Sequence, residues 1–183
     1  MSFLIKRIHM TLSKESLERA IMEINFIRDN LHPALMYLIG KLAEKGVEIA
    51  RAELIFFSDP AFDTGALSES VKYEYTDDEK AAKIRAGEGC YIGEDPSKGG
   101  WDPSTSYAMF VEYGTGVYGA DMNDHGDAGW YYYNNRIGQW VHTTGMAARP
   151  FMSNTYNGII DEVEANGGRI VAEYLADRAV GLG

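Results

Sequence analysis

Apolar side chains recur at helical spacing through the first third of the chain and again through its last thirty residues. Ser13 offers a hydroxyl to cap a helix on which Leu17, Ile21, Ile24 and Leu31 return at helical intervals. Pro33 is expected to interrupt that helix, because its ring nitrogen donates no hydrogen bond and the ring clashes with the preceding turn. From Pro33 to about Phe57, Leu35, Leu38, Leu42, Ile49 and Leu54 trace one face of a second helix, broken by Gly46. At the far end Ser153 can cap a helix carrying Ile159, Ile160, Val163, Ile170, Val171, Tyr174 and Leu175 on one broad face. Gly167 and Gly168 in its middle cost about 1 kcal/mol each relative to alanine. Such a pair either kinks a helix or lets a neighbouring element come close.

Between these helices the period shortens to two. Val71, Tyr73 and Tyr75 alternate with Lys72, Glu74 and Thr76, Asp77-Asp78-Glu79 makes a turn, and residues 82–86 return as the hairpin partner. Residues 3–12 alternate partially and suit a short strand. Residues 87–105, rich in Gly, Pro, Ser and Asp, read as a loop, while 107–113 fits a strand or one or two helical turns. Two aromatic runs, 130–133 and 139–142, flank a connection suited to a second hairpin. The order of elements predicts an α+β fold in one domain, residues 1–183. Two long helices pack on a small antiparallel sheet, and an aromatic hairpin is inserted.

Charge and composition narrow the function. Asp and Glu number 27 against 17 Lys and Arg, a formal charge of -10, which repels phosphate backbones and disfavours nucleic-acid binding through a basic groove. The same sign suits the lining of a channel through which DNA slides without sticking. The one cysteine, Cys90, forms no internal disulfide, and the first nine residues lack a signal-peptide core, so folding in a cytoplasm is expected. No run approaches the roughly 18 to 20 apolar residues that span a bilayer. No membrane partner is expected.

Candidate chemistry is sparse. Asp121, Asn123 and Gly126 mimic the start of a calcium loop, but Tyr132 stands where the bidentate Glu belongs, so a polar surface loop is the better reading. Cys90 is a nucleophile only with a histidine beside it, and His9, His32, His125 and His142 are scattered. No nucleophile-elbow, phosphate-loop or dinucleotide pattern occurs, so neither an enzyme nor a cofactor is expected. Trp130 and Trp140, with the tyrosines between them, form either a stacking platform for sugar rings or an aromatic contact with core or neighbouring subunit. The second is the more common use of such residues.

Three stretches give the chain a resemblance. Residues 63–71 read Asp-Thr-Gly-Ala-Leu-Ser-Glu-Ser-Val, residues 107–116 read Tyr-Ala-Met-Phe-Val-Glu-Tyr-Gly-Thr-Gly, and residues 146–152 read Met-Ala-Ala-Arg-Pro-Phe-Met. In this order they resemble the tail-completion, or head–tail joining, proteins of long-tailed bacteriophages. There a helix runs into Asp-Thr-Gly-x-Leu-x-x-Ser-Ile, followed by Tyr-Ala-x-x-Val-Glu-Tyr/Phe-Gly-Thr and then Ala-Arg-Pro-Phe-Leu before a closing helix. The resemblance covers roughly residues 33–180, leaving residues 1–32 as an N-terminal extension and 117–144 as an aromatic insertion. It implies a structural virion protein of the neck that forms or joins a ring linking head to tail. Its implied partners are other copies of itself, head-closure or adaptor proteins, the tail terminator and the tail tube, assembled in the host bacterial cytoplasm. The implied interaction residues are Asp63, Thr64, Gly65, Leu67, Tyr107, Glu112, Tyr113, Gly114, Thr115, Arg149, Pro150 and Phe151. Gly65 and Gly114 suit turns that a side chain forbids, and Asp63 and Thr64 offer oxygens to loop amides. Arg149 can fork onto a carboxylate, with Glu112 as its expected partner in the same subunit or the next.

Overall fold

The computed structural model describes residues 13–56, 65–78, 80–90, 106–119, 128–134 and 137–179. In chain order the elements are α1 (Lys14–Phe56), α2 (Ala66–Ser70), β1 (Lys72–Tyr75) and β2 (Ala82–Arg85), then α3 (Ala108–Tyr113) and β3 (Thr115–Gly116). They continue with β4 (Trp130–Asn134), β5 (Gln139–Thr143), β6 (Gly145–Met146) and α4 (Phe151–Ala179). The expected strand within 3–12 lies outside the described residues.

α1 is one helix of 43 residues with Pro33 inside it, about 64 Å long at 1.5 Å per residue. The break expected at Pro33 does not occur. A proline removes one hydrogen bond and crowds one turn; here the ring is exposed, so the lost bond falls on the solvent side and the helix runs on. Asn30 reinforces the preceding turn, its Nδ2 donating to the Phe26 carbonyl at 2.9 Å. Ser13 caps the start as expected: its Oγ accepts from the Ser16 amide at 3.2 Å, and the Ser16 Oγ accepts from the Ser13 amide at 3.1 Å.

α4 lies antiparallel against α1. Asn154 reaches Glu53 at 2.7 Å, Ile49 lies over Gly158, and the rings of Tyr37 and Tyr174 stack with centroids 5.0 Å apart. α1 runs through Gly46, where its apolar face is interrupted as expected. Gly46 is buried where Ile84 of β2 and Ile159 of α4 both press on the helix, and a Cβ there would stand 2.7 Å from the Ile159 Cδ1. The glycine permits a three-way approach of α1, β2 and α4. α4 likewise runs through Gly167 and Gly168.

The architecture is α+β, as expected, but the single small sheet is divided into three two-stranded ladders: β1–β2, β3–β6 and β4–β5. Each strand has two to five residues and pairs antiparallel with one partner. In the first ladder Lys72 faces Arg85 and Tyr75 faces Ala82, and the Thr76 amide closes the turn on the Ala81 carbonyl at 2.9 Å. Residues 107–113 resolve as helix α3 rather than strand. The hydrophobic core gathers Ala50 and Leu54 of α1, Leu67 of α2, Val71, Cys90, Ala108 and Val111 of α3, and Phe151 of α4. All three segments that carry the family resemblance therefore contribute to one core.

Candidate functional site

The joint between α3 and α4 is built from the second and third of these segments. α4 begins at Phe151, two residues before the expected Ser153 cap, with Pro150 at the capping position. Proline presets the dihedral for a first turn but has no side-chain acceptor for the exposed amides that follow. Glu112 supplies it from α3: one carboxylate oxygen accepts from the Met152 amide at 2.8 Å and the other from the Ser153 amide at 3.0 Å. Those are the amides an N-cap side chain takes, and a carboxylate there also meets the positive end of the helix dipole. Glu112 is buried, so both bonds form in a low-dielectric setting.

Within one subunit the Glu112 carboxylate is turned to the start of α4 and not to Arg149. Among the described residues of one subunit no ion pair joins the two, and both Glu112 oxygens accept from backbone amides. Arg149 is buried, and its amide donates to the Val111 carbonyl at 2.7 Å, tying the chain before α4 to α3.

Gly114 ends α3 with φ 74, and a Cβ on it would sit 2.7 Å from the Ala148 nitrogen and 2.8 Å from the Met146 carbonyl oxygen. Only glycine lets the two segments lie this close. Thr115 completes the seam, its Oγ1 accepting from the Met146 amide at 3.0 Å, beside the pairing of Thr115 with Met146 and Gly116 with Gly145.

The first segment joins the same core. Asp63 and Thr64 lie outside the described residues. Gly65, with φ 73, precedes α2 and places Leu67 among the buried core side chains. Tyr107 lies at the start of α3, and burial followed by its hydrogen bond to the Cys90 thiol pushes its phenol up to about 12 against the opposing pull of the Leu67 backbone. Cys90 is thus a core thiol beside a phenol.

Sequence reasoning missed the polar staples around this joint. Arg51 of α1 donates from Nη2 to the Val71 carbonyl at 2.9 Å and from Nε to that of Ser68 at 3.2 Å. Ser70 Oγ donates to the Leu67 carbonyl at 2.7 Å and accepts from the Gly87 amide at 2.8 Å. Ser106 Oγ in turn donates to the Gly87 carbonyl at 3.0 Å. Ser70 belongs to a motif, and that was its only signal; Arg51 and Ser106 carried none.

A second feature faces outward. Met109 and Tyr113, four apart on α3, are half exposed, as are Val117 and Tyr118 just beyond it. On the β4–β5 hairpin the register pairs Tyr131 with His142 and Tyr133 with Trp140, placing Tyr131, Trp140 and His142 on one face. Tyr131 is 68% exposed and Trp140 61% exposed. The Tyr131 and His142 rings lie 4.9 Å apart, and the His142 Nε2 donates to the Ala128 carbonyl at 2.9 Å. A two-stranded ribbon is marginally stable alone, so its aromatic face gains most from a surface to cover it. The calcium-like residues 121–127 lie outside the described residues.

The Glu112 and Thr115 side chains at this joint are spent on backbone amides, which is scaffolding chemistry. The exposed side chains beside them are aromatic and aliphatic, the composition of contact surfaces. Comparison with protein-family models, with curated proteins and with solved structures finds no match.

Proposed function

We propose that this chain is a structural subunit of the neck of a long-tailed bacteriophage, a non-enzymatic protein that forms or joins a ring linking head to tail. The observation that carries the reading is the junction of the three resembling segments. Stretches distant in sequence meet in one core, and the Glu of the second caps the helix that opens after the Arg-Pro-Phe of the third. A rigid joint of this kind holds α3 and its exposed Met109 and Tyr113 in a fixed pose, which a subunit that repeats around an axis requires. The contact surface is the strip of Met109, Tyr113, Val117 and Tyr118 together with the aromatic hairpin. The neighbours are further copies of the chain, sixfold on the tail side, and the head-closure, terminator and tube proteins.

The acidic surface suits a channel wall, because a charge of -10 keeps duplex DNA from adhering as it passes. No described helix is long and apolar enough to cross a membrane. Joining in vitro tests the reading: purified chain added to separated heads and tails from particles lacking it restores whole particles. Unchanged yields of separate heads and tails refute it.

A second reading, a carbohydrate- or host-wall-binding module, rests on the exposure of Tyr131 and Trp140 on one hairpin face. A glycan array with retained sugars that Trp140→Ala releases favours it over the neck reading.

A further inference from the structure

The face of α4 turned away from α1 sets apolar beside acidic side chains. Tyr156, Ile160 and Val163 recur there at intervals of four and three, and all three are exposed, Tyr156 at 67%. Glu164, four residues on from Ile160, and Asp161, three before Glu164, border this stripe and are exposed too. Residues 150–168 contain no Lys or Arg. Their third acid, Glu162, is turned into the cleft between α4 and α1. The face is thus apolar along its centre and anionic along its rim.

Its complement is a segment both apolar and basic, and residues 1–12 are of that kind. They set Lys6 and Arg7 among Phe3, Leu4, Ile5, Ile8 and Met10 and hold no acid. Cations of the body are engaged already: Lys41, Lys45, Lys72 and Arg85 each lie beside a glutamate. Length decides whose residues 1–12 can arrive. α4 runs antiparallel to α1 with Ile159 against Gly46, which lies about 50 Å from Ser13 along α1 at 1.5 Å per residue. Lys6 and Arg7 stand no more than about 25 Å from Ser13 even on a fully extended chain. They fall short of their own α4 face by about half the distance; the same face on another copy has no such limit.

We infer that residues 1–12 of one copy dock on the outer α4 face of a second copy. Lys6 and Arg7 meet Asp161 and Glu164, and the apolar side chains around them cover Tyr156, Ile160 and Val163. Attraction of opposite charges at this one contact offsets the repulsion between chains that each carry -10. Segment and face are different surfaces, so every copy both gives and receives, and the exchange closes into a dimer or a ring. The inference does not depend on the neck reading, and the surface is separate from the aromatic strip assigned there.

Light scattering and sedimentation of the full chain provide the test. The wild-type protein runs as a multiple of 20.3 kDa at low salt. Lys6→Glu with Arg7→Glu weakens association by about tenfold or more, and Asp161→Lys with Glu164→Lys does the same, with thermal unfolding of the α1–α4 body unchanged. A chain carrying all four reversals associates again, which direct pairing of the two patches requires. Carbodiimide coupling of a mixture of isotope-labelled and unlabelled chains joins Lys6 of one to Glu164 of the other. A monomeric wild type, an assembly indifferent to either reversal, a fourfold variant that stays apart, or a Lys6–Glu164 link confined to single chains each overturns the inference. None of these outcomes bears on joining of heads to tails, so the two readings fail separately.

Discussion

Removing the Glu112 carboxylate tests the joint at its centre. Glu112→Ala deletes two hydrogen bonds from a buried charged acceptor, at 2.8 and 3.0 Å, and strips the first turn of α4 of its cap. Bonds to charged groups contribute about 1.5 to 3 kcal/mol each, but the pair is not additive and water reaches the exposed Ser153, so a loss of about 3 kcal/mol is expected. For a chain of this size that lowers Tm by about 6 to 12 °C, read by circular dichroism at 222 nm. Glu112→Gln keeps an acceptor without its charge and costs about half as much. Because the two amides are those an N-cap residue serves, Pro150→Asp in the Glu112→Ala background recovers about 1 kcal/mol. An alanine variant within a degree of wild type, with Pro150→Asp giving no recovery, refutes the capping role.

Other consequences are equally specific. Gly145→Ala and Gly116→Ala each place a Cβ on a backbone carbonyl across the β3–β6 ladder at a positive φ, so each variant loses several degrees of Tm in thermal melts. The Tyr107 phenol is raised from 10.0 to about 12 in the folded chain, so the folded state holds a proton that the unfolded state releases. Stability from this group is complete below pH 10 and falls as pH rises toward 12; chemical denaturation across that window shows the added loss in wild type and not in Tyr107→Phe. Trp140→Ala removes an exposed side chain, changes Tm by less than a degree, and abolishes joining activity in vitro. Retention on a duplex-DNA column at about 0.15 M salt is negligible, as the charge of -10 requires.

The helices, the first hairpin and the aromatic hairpin were legible because each has a local period that its own residues establish. Pro33 misled because a local rule assigns it a break, whereas its consequence depends on what lies beside it. Its ring faces solvent. The start of α4 was misplaced for a related reason. A serine near a helix start is a sound local signal, but the cap came from Glu112, some forty residues upstream, which no local pattern announces. Opposite charge in neighbouring motifs suggested a Glu112–Arg149 pair. Orphan amides at a helix start bind a buried carboxylate just as well, and only their geometry shows which partner it takes. The division of the sheet into three ladders was also hidden, since the pairing of β3 with β6 around the β4–β5 hairpin is set by tertiary contacts.

An electron cryomicroscopy map of the neck, taken from particles that carry this chain, tests the central claim most directly. The expected map shows a closed ring of copies, sixfold on the tail side, with acidic surface toward the DNA channel and the Trp140 hairpin against a neighbouring subunit. A map with the chain absent from the neck, or present as a single copy, contradicts it.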